Sequence, residues 1–256
     1  MRKKNSLFSK FYIAICFAFF YLPILVTMVF PFNSSKSLSK LTGFSLRWYK
    51  ALLENSEIMS AVYVSVTIAI MATIASTVLG TMTAIGLSKS RKIIKDMVLS
   101  MNDIPILNPE SVTAISLMLL FLFTKVDRGD VTMLLAHMTF DTPYVILSVL
   151  PKLKQMNRHT YEAALDLGAT PMYALFHVII PECMPGIITG AMLAFTLSLD
   201  DFTISYFTTS PLVQNLSTLI YSAARRGIEP TLNALSALMF VALLVLLLIV
   251  NRRTAS

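Results

Sequence analysis

The chain has 256 residues, of which 55% are apolar and only 14% charged, with a formal net charge of +7. A soluble domain carries about 25% charged residues, so the composition excludes a soluble globular fold and points to an all-α integral membrane protein. The excess of Lys and Arg sits where membrane topology requires it, which removes the case for a nucleic-acid partner.

Apolar runs long enough for a hydrocarbon core of about 30 Å recur near Phe11–Phe30, Val62–Leu87, Met97–Phe123, Val131–Val149, Gly186–Phe207 and Leu232–Val250. They predict six transmembrane helices in a single domain, 1–256. The basic clusters Arg2–Lys4 and Lys89–Lys95, with Lys152, Lys154, Arg158, Arg252 and Arg253, place both termini and the segment 151–185 in the cytoplasm. A basic start before an apolar run resembles a signal peptide. This run is too long and lacks a small-residue cleavage site, so it is expected to remain as the first span. Cys16 then lies in a span and Cys183 in a cytoplasmic loop, and no disulfide is expected.

The first outer loop, Pro31–Ile58, contains the only tryptophan of the chain, in Phe44-Ser45-Leu46-Arg47-Trp48-Tyr49. Two roles fit Trp48: an anchor at the headgroup level, or a group at the mouth of a pathway or a docking surface. The third run, Met97–Phe123, spans about 40 Å at helical rise and is interrupted by Asn102, Asp103, Pro105, Asn108, Pro109 and Glu110. Asn108 as N-cap, Pro109 in the first turn and Glu110 as a first-turn acid predict a helix broken within the membrane. Such breaks are tolerated where they line a cavity or are covered by protein. Glu110 either complements its helix dipole or presents an acid to a pathway.

The fourth run carries His137, Asp141 and Pro143. Ionisable residues at membrane depth are functional candidates. His137 and Asp141 are four apart on one helix face, however, and a mutual hydrogen bond is the competing account. Gly186 and Gly190 open the fifth run with the spacing of close helix packing.

No phosphate-binding G-x-x-x-x-G-K-[ST] sequence occurs, nor any metal-ligand spacing or nucleophile–base motif. The chain is not expected to be an enzyme.

Between the fourth and fifth runs stands Glu162-Ala163-Ala164, followed by Gly168 and, after Val178 and Ile180, by Pro181. Thr160–Ala169 reads as a short helix in which small Ala163 and Ala164 admit a partner surface. Gly168 ends it and Pro171 prevents simple continuation. A rigid helix seated in a groove transmits a rigid-body shift. The spacing resembles the EAA loop of ABC importer permeases, with Val178 and Ile180 as conservative departures. Phe195–Phe202, the Thr208–Pro211 turn, Phe32–Ser35 and Arg47–Tyr49 extend the likeness over essentially the whole chain, to the permease subunits of spermidine/putrescine importers.

This resemblance implies a type I ABC importer permease, multi-pass in a bacterial cell (inner or plasma) membrane. It implies a second related permease, two copies of a cytoplasmic ATPase and an extracytoplasmic substrate-binding protein. ATP and Mg would sit on the ATPase, with no cofactor on this chain. Glu162, Ala163, Ala164, Gly168 and Pro181 would couple the chain to that ATPase.

Asp200 lies about 21 Å along the fifth helix from Gly186. Two adjacent carboxylates at that depth cost several kcal/mol against lipid, so Asp200 and Asp201 must face water, a partner or a cationic cargo. Polyamines need acidic stations separated by apolar wall. Asp200, Asp201 and Glu110 supply them, with Trp48 or Tyr206 available for cation–π contact. Neighbours on a helix point about 100° apart, so one Asp faces the pathway while the other meets the partner. Helix or binding-protein docking is the competing use of the pair. Alternative functions are an ABC permease for another organocation, ferric iron or a small anion, and a cation-coupled secondary transporter using Asp141 and Asp200. A non-transporting scaffold is a third, which leaves the loop spacing and the buried acids unexplained.

Overall fold

The computed structural model describes residues 7–36, 40, 42–210, 213–227 and 229–255. The basic cluster Arg2–Lys4 and Pro211 of the Thr208–Pro211 turn lie outside the described residues. Apart from one antiparallel bridge between Asn33 and Phe44, the regular structure described is helical. Four helical segments, Lys10–Phe32, Ser56–Lys89, Asp130–Gln155 and Pro171–Asp200, are long and apolar enough to cross a membrane, and a bent pair makes a fifth. The chain forms two compact units, Met1–Met59 with Ile220–Ser256, and Ser60–Leu219.

In the first unit, α1 (Leu7–Val29) is apolar on every side; α12 (Pro230–Ala255) touches it, and most of its side chains stay exposed. α2 (Arg47–Glu54) and α12 pack together. The start of α2 is tied to the segment after α1: the Trp48 indole donates to the Asn33 carbonyl at 2.8 Å, and the Asn33 side chain accepts from the Thr42 amide at 2.9 Å. Phe32 stacks on Phe44 and leans on Tyr49.

The second unit is built on α3 (Ser56–Lys89), α4 (Lys92–Leu107), α5 (Glu110–Phe123) and α6 (Asp130–Gln155). After these come α7 (Arg158–Asp166), α8 (Pro171–Ala174), a π turn (Leu175–Ile179), α9 (Ile180–Asp200), α10 (Thr203–Thr208) and α11 (Leu216–Arg226), the last crossing the unit boundary.

α6 and α9 are the central pair, and glycine makes their approach possible. A Cβ on Gly186 would stand 2.9 Å from the Ser148 carbonyl, and one on Gly190 3.1 Å from Val145 Cα. Gly80 of α3 meets the same Val145, at 2.7 Å. The small-residue spacing is therefore a packing seam, as expected. Ala84, Leu87, Val145, Val149, Leu153, Cys183 and Ala194 bury around it.

α4 and α5 meet at a 106° bend, so the third apolar run is broken as its sequence predicts. The cap is placed differently from expectation. Asn108 is extended and closes α4, its amide bonding Ile104, while the Pro109 carbonyl accepts from Val112 and Thr113 and starts α5. Asn108 has the extended backbone of a cap, yet the first bonds of α5 go to the Pro109 carbonyl, so Pro109 and not Asn108 takes the cap position.

Candidate functional site

The helix of the Glu162-Ala163-Ala164 motif runs from Arg158 to Asp166, two residues earlier in start and three earlier in end than the sequence suggests. Asn157 caps its start, accepting from the His159 amide at 3.0 Å. Its end is a Schellman closure: the Gly168 amide bonds the Leu165 carbonyl at 2.9 Å and the Ala169 amide reaches Ala164 at 3.0 Å. Gly168 takes φ +87°, the left-handed backbone that such an end requires. Thr170 then caps α8, and Pro171 is its first residue.

What this turn presents is apolar and bare. Leu167 is 89% exposed, and Met172, Tyr173 and Phe176 are each more than half exposed. Ala164, Leu167, Gly168, Ala169, Thr170 and Tyr173 line an open pocket of about 500 Å³. Glu162 is exposed beside His159, at 3.4 Å. On the other side, Tyr161 packs against the core, with the Lys89 ammonium 4.0 Å from its ring centre. The helix is thus anchored on one face and open on the other. Pro181 lies at the start of α9, just past the π turn in which the Ile180 amide reaches back to Leu175.

The acids form a second cluster, and its geometry departs from the expected pair on one helix. α9 ends at Asp200, and Asp201 adopts extended backbone, φ −63° and ψ 124°. The two carboxylates do not share a helix; they flank a break. Asp201 is 6% exposed, and its carboxylate accepts from the Ile204 amide at 3.1 Å, the Ser205 amide at 2.7 Å and the Ser205 hydroxyl at 2.8 Å. A buried carboxylate costs little only when fully bonded, and the free amides of a new helix are a ready set of donors. Asp200 is exposed. Glu110, the first residue of α5, comes beside Asp201, Asp200 and Thr203, because α5 packs along α10.

His137 completes the cluster. Its Nδ1 is 2.6 Å from the Ser198 hydroxyl, while Nε2 is 3.0 Å from the Ser205 hydroxyl and 3.4 Å from Asp201. The bond to Asp141 that its spacing suggested does not form. Asp141 is fully buried, and neither carboxyl oxygen has a hydrogen-bond partner among the described residues.

Glu110, Asp200, Asp201 and Tyr206 therefore fall in one neighbourhood. Tyr206 lies on α10, 53% exposed, with its ring 5.4 Å from Phe202 and 5.4 Å from Phe207. Trp48 belongs to the first unit, where it is 9% exposed and the Arg47 guanidinium already lies 4.0 Å over its ring. Ser198 and Ser205 are participants that sequence reasoning missed. Ile204 follows Asp201 by three, the spacing of an acid and a first-turn amide it caps, with Ser205 next along, and that was the available signal.

Residues 76–253 match the family model described as binding-protein-dependent transport system inner membrane component. The chain is 41% identical over 229 residues to the putrescine transport system permease protein PotI of Escherichia coli (strain K12), covering 87% of this chain and 82% of the relative. It is 35% identical over 232 residues to the spermidine/putrescine transport system permease protein PotC of the same strain, covering 91% and 88%. The fold is similar to a chain in the crystal structure of a bacterial ABC transporter involved in import of the acidic polysaccharide alginate. The TM-score is 0.78, with 12% identity and 98% of each chain covered.

Proposed function

The chain belongs to the binding-protein-dependent transport system inner membrane component family, and on that footing we propose that it is the permease subunit of an ATP-driven importer of polyamines, spermidine or putrescine. It works as one six-span permease domain with both termini in the cytoplasm of a bacterial cell. It pairs with a second, related permease, two copies of a cytoplasmic ATPase and an extracytoplasmic binding protein. ATP and Mg are bound by the ATPase, and this chain carries no cofactor and no catalysis of its own.

The observation that carries the cargo reading is the meeting of Glu110, Asp200 and Asp201 at two helix breaks. Breaks of this kind inside a membrane face protein or a water-filled cavity, and carboxylates placed there suit ammonium groups on a flexible apolar chain. The hydrogen bonds divide the labour. Asp201 spends its oxygens holding α10 in place, which leaves Asp200 and Glu110 to meet the cargo, with the exposed Tyr206 ring beside them for cation–π contact. The names of the two Escherichia coli relatives, a putrescine and a spermidine/putrescine permease, support the same reading.

Transport proceeds by alternating access. Closure of the ATPase dimer shifts the anchored helix α7 through Glu162, Ala163, Ala164 and the Gly168 turn, and the shift passes through α8, the π turn and Pro181 into α9. The far end of α9 is Asp200, so the coupling segment and the acidic cluster lie at opposite ends of one helical stretch, Pro171–Asp200.

The test is ATP-dependent uptake of labelled spermidine by the reconstituted complex. Saturable uptake in the wild type, lost with Asp200→Asn in an assembled complex, supports the reading. An assembled wild-type complex that moves no polyamine refutes it.

A further inference from the structure

Among the described residues, Asp141 is the one ionisable side chain whose buried polar atoms lack any partner. Its depth is fixed by the antiparallel register of α6 and α9. Gly190 lies against Val145, and Ser198 bonds His137. Asp141 is midway between Val145 and His137, and Ala194 is midway between Gly190 and Ser198, so the carboxyl-bearing residue stands opposite a fully buried alanine. On the α3 side, Gly80 meets Val145 and the Thr142 carbonyl. Thr77 and Thr73, one and two turns before Gly80, also hold buried hydroxyls without partners. Asp201 is within electrostatic reach of Asp141, one turn further out along α6.

An unpaired carboxylate in an apolar interior is costly, so such an acid either keeps its proton or meets a positive partner. No such partner is built in. His137 is committed to Ser198, Ser205 and Asp201, and Lys152 lies against Gly186, about three turns away on α6. Any positive partner arrives from elsewhere. We propose that Asp141 is a second, inner station for cations: an ammonium group of the cargo passes to it from Asp200 when α9 parts from α6. This rests on the polyamine reading above.

The seam that hides Asp141 is suited to parting. Its α9 face is small at Gly186, Gly190 and Ala194, where Lys152 and Val145 of α6 lie against the glycines, and the His137–Ser198 bond ties the helices further out. α9 is also continuous, through the π turn, with α8 of the coupling segment, and π turns inside helices are frequent at functional sites.

The experiment uses the complete complex carrying Asp141→Cys, with Cys16→Ser and Cys183→Ala removing the native thiols. A cationic thiol reagent and a neutral one of similar size are applied with and without ATP trapping, and with and without spermidine. Expected is slow labelling in one nucleotide state and faster labelling in the other, with the cationic reagent slowed by spermidine. In parallel, Asp141→Asn should lower uptake at least about tenfold, and Asp141→Glu less, as for loss of one partner of a buried charge pair. No labelling in any state overturns the proposal. So does uptake by Asp141→Asn equal to wild type, because asparagine mimics a neutral acid that never meets a cation. Should the cysteine variant fail to assemble, the Asn and Glu variants decide. If the wild type carries no polyamine, the cargo reading fails by itself, and nucleotide-dependent labelling by the cationic reagent still decides whether Asp141 is an inner cation station.

Discussion

The imidazole of His137 stands between Ser198 and Asp201, 2.6 Å from the serine hydroxyl and 3.4 Å from the carboxylate. One side chain of α6 thereby holds both banks of the break between α9 and α10. It fixes where the last turn of α9 ends and where the first turn of α10 begins. The acidic cluster therefore owes its shape to a residue that makes no claim on cargo.

Replacing His137 by Ala should remove these ties and leave Ser198 and Asp201 short of partners. A loss of about 1–3 kcal/mol is expected for buried polar groups left unsatisfied. Thermal unfolding of the purified complex measures it, with His137→Gln expected to be milder. A melting temperature unchanged in His137→Ala would dismiss the bridging role.

The two aspartates should separate in their phenotypes. Asp200→Asn is expected to depress polyamine uptake with little change in melting temperature, since Asp200 is exposed. Asp201→Asn should lower the melting temperature as well, because both carboxylate oxygens accept bonds and the amide nitrogen that replaces one cannot, a loss of about 1–3 kcal/mol for a buried group left unsatisfied. Uptake and melting measured on the single variants check this, and the reverse ranking would contradict the division of labour.

Gly168→Leu puts a side chain on a left-handed residue with open space around it, so the cost is backbone strain rather than collision. Left-handed backbone costs a non-glycine residue about 1–2 kcal/mol, enough to disturb the Schellman closure. Loss of ATP-driven uptake is expected, in a chain that still inserts and co-purifies with the second permease. Normal uptake in Gly168→Leu would sink the coupling assignment.

Two other glycines form a matched pair. Gly190→Ala drives a Cβ to 3.1 Å from the Val145 backbone, and overpacking of this kind costs about 1–3 kcal/mol. Gly86→Ala, with nothing within 4 Å among the described residues, should be neutral or stabilising by up to about 1 kcal/mol, since Ala is the better helix former. Thermal melts of both variants test the seam, and equal shifts would argue against it.

Much of this was legible in the residues. Pro109 announced the break in the third apolar run, Gly168 the end of α7, and Gly186 with Gly190 the packing seam, because each acts through local backbone rules. The Glu162–Pro181 spacing carried the family. What stayed hidden depended on partners distant in sequence. Nothing local says that Asp201 gives its oxygens to α10 and His137, since those donors appear only once α9 breaks at that point. The pairing of His137 with Asp141 failed for the same reason: helix spacing makes neighbours available, and the opposing helix, through Ser198, made the better offer. Trp48 reads in the sequence as a headgroup anchor or a group at the mouth of a pathway, and in the fold Arg47 beside it lies over its face.

The π turn between α8 and α9 has a consequence of phase. It adds one residue to a helical turn, and one residue is about 100° of rotation. Everything upstream of Leu175 is therefore turned by that angle about the helix axis, relative to an uninterrupted α-helix. Met172 and Tyr173 look outward in the orientation this extra residue imposes. Deleting any one residue of the turn would leave the composition of the segment almost untouched and swing its apolar side chains a quarter of the way around. Which way the chain faces its neighbour is thus set by a count.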